Sequence, residues 1–230
     1  MTARLTGRAR RLAARIDAAT PAHRDRAVDA LRTLAIAGVI LGHWLVTALV
    51  LTRGPAGAAL HDASPLARLP ALAPLSWVFQ TLAVFFLAGG YAAARSYPGG
   101  SPAGRGPGAG YPAWLRGRLA RLGRPVLVLL GVWAAAAAGL WLAGVPAAVL
   151  GTAARLVLSP LWFLGVFAVL TALTPPAVAL VRRLGPAAAV LPAAVVAGTD
   201  AVRFGLGGPA WIGWVNVAAG WLVPYLLGIA

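Results

Sequence analysis

The stretch Asp29–Thr52, D-A-L-R-T-L-A-I-A-G-V-I-L-G-H-W-L-V-T-A-L-V-L-T, decides how this chain is read. Between Arg32 and Arg53 lie twenty residues, 33–52, and none is charged. A helix needs about 20 such residues to cross the hydrocarbon of a bilayer. The segment therefore predicts a transmembrane helix with His43 near its middle, where an ionisable group is costly and marks a functional position by default. Arg32 and His43 are eleven residues apart, close to three helical turns, so both project from one face. At 1.5 Å per residue, about 16 Å separates them along the axis. A site that uses both is long and narrow, with a cation at its mouth and an imidazole deep inside.

Composition extends this reading to the whole chain. Of 230 residues, 60% are hydrophobic and 11% charged, and mean hydropathy is +0.80, which indicates an all-α polytopic transmembrane bundle. Cysteine is absent, which removes disulfides and thiolate chemistry. The net charge of +15 comes entirely from arginines set between apolar runs, a membrane pattern rather than a nucleic-acid one. The acids are Asp17, Asp25, Asp29, Asp62 and Asp200, so a two-carboxylate mechanism or a carboxylate-rich metal site is not expected. With His23, His43 and His61 they complete the set of candidate bases.

The chain divides into a basic N-terminal segment, 1–32, and a transmembrane helical domain, 33–230. Within 1–32, Leu5, Ala9, Leu12 and Ile16 share a helical spacing with Arg4, Arg8, Arg11 and Arg15, which fits either an amphipathic helix on an anionic leaflet or a solvated basic tail. Six apolar segments follow, at about 33–52, 75–94, 125–145, 156–181, 186–202 and 209–230. The 53–74 connection is a loop, and the Gly/Pro-rich 96–112 stretch a flexible one. No strand pattern is evident. With the N-terminus inside, sixteen of the twenty arginines fall on inner regions, so the expected state is multi-pass in the plasma membrane with a cytoplasmic N-terminus.

Three motifs carry a resemblance. R-D-R-A-V-D-A-L-R-T-L-A-I-A-G-V-I-L-G-H, from Arg24 to His43, is similar to the first helix of the acyltransferase-3 family of integral membrane O-acyltransferases: Asp29 shortly before Arg32, ten residues, then His43. F-F-L-A-G-G-Y, Phe85–Tyr91, resembles that family's F-F-x-x-S-G-Y, with Gly89 at the serine. R-L-A-R-L-G-R-P, Arg118–Pro125, resembles its R-x-x-R before the third helix. L-W-F-L at 161–164 and P-Y-L-L-G at 224–228 are weaker echoes. The family's fold has about ten helices and this chain offers six, so the resemblance implies a fold incomplete at the C-terminus.

The resemblance implies transfer of an acyl group, often acetyl, from acyl-CoA to a hydroxyl of a carbohydrate or secondary metabolite. Acyl-CoA is then a co-substrate, and no resident cofactor or metal is implied. The partners are that donor, the hydroxylated acceptor and the lipid bilayer, with no nucleic acid. His43 becomes the general base, and Arg32, Arg118, Arg121 and Arg124 hold the donor phosphates. Asp29, Gly89, Gly90 and Tyr91 give structural support. Each role has a plainer rival. His43 could bond a neighbouring helix, and Arg32 could anchor the inner boundary. The 118–124 arginines could meet lipid headgroups, and the glycines serve as close-packing positions. Asp200 and Arg203 read as a local ion pair, and Asn216 as an interhelical hydrogen bond. The alternative function is a transporter or flippase-like carrier for an anionic or sugar-bearing lipid, with His43 as a proton relay.

Overall fold

The computed structural model of the chain describes residues 14–18, 25–54, 57–99 and 110–230. The predicted amphipathic helix before residue 14, His23 and most of the Gly/Pro-rich loop lie outside the described residues. Helix α1 spans Arg26–Val46. An antiparallel hairpin follows, β1 (Ala48–Gly54) and β2 (Gly57–Ala63), in register from Ala48 opposite Ala63 to Gly54 opposite Gly57. Then come α2 (Ala73–Val78), α3 (Leu82–Ser96), α4 (Tyr111–Leu142), α5 (Ala147–Leu158), α6 (Trp162–Ala172), α7 (Thr174–Leu184), α8 (Val190–Asp200) and α9 (Trp214–Ile229). Among the described residues, six helical stretches are long and apolar enough to cross a membrane: Arg26–Val46, Pro70–Ser96, Tyr111–Leu142, Ala147–Ala172, Thr174–Gly205 and Ala210–Ile229. The fold is an all-α polytopic bundle, with the hairpin as the one departure among the described residues.

That departure corrects the expected first span. The helix does not run 33–52: it starts seven residues earlier and ends at Val46. Its start is fixed by Asp25, whose carboxylate caps the first turn by accepting from the N–H groups of Ala27 (3.1 Å) and Val28 (3.2 Å). Beyond Val46 the apolar run continues as strand β1, its backbone paired to β2. Apolarity alone does not separate a strand from a helix, and Thr47, Val50 and Thr52 are strand-favouring residues. His43 consequently sits in the last turn of α1 rather than at its centre.

Two further segments differ from expectation. The arginine-rich 113–124 stretch and the third apolar segment are one continuous helix, α4, which runs through Pro125. Residues 174–184 do not continue the fourth span. The Ala172 carbonyl accepts the Tyr111 hydroxyl at 2.6 Å, and Arg182 donates to the Gly99 carbonyl at 3.1 Å. Tyr97 and Tyr111 pack edge to face, so both termini of α7 stay near one end of the bundle. That end also holds Asp25, Arg95 and Arg118, and is called the arginine end below. The hairpin marks the other.

The bundle is pinned where α3 meets α9. These helices run parallel, with Phe86 stacked on Trp221 (centroids 5.0 Å apart) and Gly90 against the backbone of Tyr225. A Cβ at Gly90 would overlap the Tyr225 carbonyl, and one at Gly228 would overlap the Leu87 carbonyl. Small residues let helices approach closely in lipid, where van der Waals contact replaces the hydrophobic effect as the force for association. Phe86, Ala93, Leu170 and Tyr225 form the buried centre, and the Tyr225 hydroxyl is bonded to Thr174 Oγ1 at 2.8 Å. Helix α4 contrasts with this seam: no residue of its 32 is buried.

At the hairpin end, Asn216 donates to Asp200 across α9 and α8 at 2.7 Å, which is the expected interhelical bond. The expected Asp200–Arg203 ion pair is not among the contacts of the described residues. The Arg203 guanidinium lies over the Phe204 ring instead, 4.9 Å from its centroid, because the chain leaves α8 through a π turn at Ala201–Gly205.

Candidate functional site

Three helices, α1, α3 and α6, together line two cavities in series. One, of about 340 Å³, is walled by Arg32 from α1, Gly89 and Ala92 from α3, Phe167 and Thr171 from α6, and Arg118 and Arg121 from α4. The other, of about 480 Å³, is walled by Ile36, Val39, Ile40 and His43 from α1, Phe85 from α3 and Phe163 from α6, with Leu156, Val157 and Ser159 completing it. On α3 the lining residues Phe85, Gly89 and Ala92 are spaced i, i+4, i+7, and on α6 Phe163, Phe167 and Thr171 are spaced i, i+4, i+8. Such spacings mark one helix face. The two cavities therefore lie one after the other along the same helix faces.

The sequence pairing of Arg32 with His43 holds as a shared helix face, but their side chains open into different cavities. Aromatic rings divide the two. Phe85 and Phe163 meet edge to face at 5.5 Å, and Phe85 lies 5.1 Å from Phe167, centroid to centroid. Phe167 is seated on Gly89, where a Cβ would overlap its ring. The glycine that replaces the expected serine thus supplies the space this ring fills. The sequence motifs include Phe85 and Phe163 but assign them no role, and they leave out Phe167. The signal was present in the shared spacing along 85–92 and 163–171.

The arginine cavity collects three of the four arginines expected to act together, Arg32, Arg118 and Arg121. Arg124 is exposed and does not line it. No acid is among the described residues of its wall. Arg118 is the best fixed. Its Nη2 donates to the Ala92 carbonyl and to Ser96 Oγ, and its guanidinium lies 5.5 Å from the Trp114 ring centroid. Its Nε is buried and unpartnered among the described residues. Three guanidiniums around one hollow repel each other unless an anion enters, and a forked cation with a free donor suits an oxyanion.

In the histidine cavity, His43 is half-buried, and the hydroxyls of Thr47 and Ser159 share its wall. The remaining sequence candidates support α1 and α3. Asp29 is half-buried in the first turn of α1, and its carbonyl accepts the Thr33 hydroxyl at 2.9 Å. Tyr91 donates to Asp25 Oδ2 at 2.8 Å and accepts from Arg95 at 2.5 Å, tying the start of α1 to the end of α3. The Tyr91 hydrogen bond, aided by the Val28 N–H, holds the Asp25 carboxyl below its ordinary value. Asp25 had been grouped only among the possible bases. Its part as helix cap and Tyr91 partner shows only once the two helices are brought together.

The acyltransferase-3 family model, described as an acyltransferase domain, matches residues 25–230. The chain belongs to the acyltransferase-3 family. It is a multi-pass membrane acyltransferase, and the three motifs that suggested this from sequence line or brace the two cavities. No curated protein and no solved structure matches the chain.

Proposed function

We propose that this acyltransferase moves an acyl group from acyl-CoA to a hydroxyl of a carbohydrate or secondary metabolite, with the arginine cavity facing the cytoplasm of a plasma-membrane protein. The observation that carries this reading is the alignment, on three shared helices, of an acid-free arginine cavity with a cavity walled by a histidine. Coenzyme A has a polyanionic head and a thin arm ending in a thioester. Arg32, Arg118 and Arg121 hold the phosphates by charge-assisted hydrogen bonds. The arm follows these helix faces over the roughly 16 Å to His43, past the Phe85–Phe167 contact, which has to open for it.

At His43 the neutral imidazole takes the proton of the acceptor hydroxyl as its oxygen attacks the thioester carbonyl. The carbon–sulfur bond then breaks, and the thiolate recovers the proton from the imidazolium to leave as free coenzyme A. Thr47 and Ser159, which share the wall of the cavity with His43, are the residues this reading assigns to orient the ring. Asp29, roughly 21 Å along the helix at 1.5 Å per residue, is too distant for that task.

The test is acyl transfer from labelled acyl-CoA to a panel of hydroxylated acceptors by membranes carrying the chain. Wild-type membranes are expected to release free thiol in proportion to ester formed, and His43→Ala membranes to lose both. Equal activity in the variant removes His43 from the mechanism. Acceptor movement without thiol release would indicate a carrier instead.

A further inference from the structure

The histidine cavity is shaped for an aliphatic guest. Its volume of about 480 Å³ falls within the roughly 300–1,000 Å³ of pockets that hold drug-sized ligands. With the donor arm lying along Ile36 and Ile40 as far as His43, an acetyl methyl would leave the part beyond it, at Trp44, Thr47 and Ala48, unfilled. Ile36, Val39, Ile40, Leu156, Val157 and Pro160 make up much of the wall, against the polar side chains of His43, Thr47 and Ser159. A sugar carries an oxygen on nearly every carbon, and each needs a partner once it leaves water. This wall cannot satisfy them, and one of its polar groups is reserved for proton transfer. Ile36 and Ile40 are each 48% exposed and Trp44 73%, so the wall runs on into the apolar outer surface of the bundle.

We propose that this cavity seats the transferred acyl chain and selects medium-length aliphatic donors over acetyl. The inference rests on the acyl-CoA reading and adds the class of acyl group. It assigns the apolar volume to the donor because the cavity lies next along the same three helix faces as the arginine cavity, with His43 in its wall where the thioester would lie.

The experiment measures binding to the purified chain in nanodiscs. Radiolabelled coenzyme A is bound directly, then displaced by free CoA and by acetyl-, butyryl-, hexanoyl- and octanoyl-CoA. Affinity is expected to rise along the series, with full burial setting a ceiling of about fourfold per methylene. Val157→Trp, which fills the cavity, should sharply reduce the octanoyl-to-free CoA affinity ratio, and Ala48→Trp repeats that block from another wall, beyond His43. Arg118→Gln should lower the affinity of free and octanoyl-CoA alike. A flat series in which free CoA still competes overturns the acyl-chain assignment and leaves the donor reading standing. An equal rise in wild type and in the tryptophan variants reports partition into the bilayer and also overturns it. If coenzyme A does not bind at all, both readings fall.

Discussion

The two cavities draw on the same three helices, yet their walls share little. One gathers Arg32, Arg118 and Arg121 with no acid among its described residues; the other is isoleucine, valine, leucine and phenylalanine around His43. Along one set of helix faces the lining thereby changes from cationic to apolar within a few helical turns. An anion gains most from the first environment, where three guanidiniums share a wall with no acid among its described residues. An uncharged reaction centre gains from the second, where water is displaced and a proton donor and acceptor act at short range. On the proposed reading the contrast separates holding the donor from reacting with it, and each half should be open to disabling without the other.

The largest effect is expected at His43. Replacing it with alanine removes the proposed general base, and positioned proton transfer contributes about 10²–10⁴-fold to rate. Turnover of acyl-CoA should fall by that order while coenzyme A affinity in nanodiscs stays near wild type. A parallel loss of donor affinity would mean that the two cavities do not divide the work as argued.

Arg118→Gln addresses the other half. The variant gives up a charged donor, and hydrogen bonds to charged groups are worth about 1.5–3 kcal/mol. Donor KM should rise roughly 10- to 100-fold, with kcat changed less. Arg118 also joins α4 to α3 through the Ala92 carbonyl and Ser96 Oγ. Ser96→Ala therefore serves as the control: it loosens that tie but leaves the charge, and a comparable rise in KM there would assign the effect to helix positioning.

The legible parts of this design are those written as charge and spacing. Twenty uncharged residues between arginines predict a span, and a separation of eleven positions from Arg32 to His43 predicts a shared face; the shared face persists in α1, whereas the helix covers only 33–46 of the predicted twenty. What sequence could not show was where α1 ends. Thr47–Thr52 is as apolar as the helix before it, and its strand pairing depends on Ala58–Ala63 arriving opposite. The phenylalanine divider was hidden for a similar reason. Phe85 and Phe167 are 82 residues apart, and only the packing of α3 on α6 brings their rings together. Arg124 shows the opposite failure: a three-residue arginine repeat reads as one cluster, but successive steps of three drift around the helix, and the last member turns away from the cavity.

Gly89 tests the boundary between the cavities. Serine at this position, the residue expected from the family motif, would overlap the Phe167 ring. That ring also packs on Phe85, Phe86 and Tyr225, so it cannot move alone. Overpacking of this kind costs about 1–3 kcal/mol. Gly89→Ser should lower the thermal midpoint in detergent, and Phe167→Leu in the same chain should restore part of it. Gly90→Ala should cost more than Gly89→Ala. Its methyl meets the Tyr225 backbone carbonyl, which has less room to yield than a side-chain ring. A reversed order would show that the α3–α9 seam is looser than its contacts imply.

The smallest effect is expected at the start of α1, outside both cavities, where Asp25, Tyr91 and Arg95 align the helix that carries Arg32 and His43. The Asp25 carboxyl is held below its ordinary value of 3.8 by the Tyr91 hydroxyl first and the Val28 N–H second. A carboxyl whose value is lower folded than unfolded adds stability while it is ionised in both states, above the unfolded value. That contribution drains away as pH falls through the folded value. Acidification from about pH 6 to about pH 3 should therefore cost wild type more thermal stability than it costs Tyr91→Phe, which has already lost the first of these bonds. The carboxylate is exposed, so solvent screens the pair and the difference should be a small shift in midpoint. Equal acid sensitivity in the two proteins would remove Tyr91 as the tie between α1 and α3. The register of Arg32 against the arginines of α4 would then rest on helix packing alone.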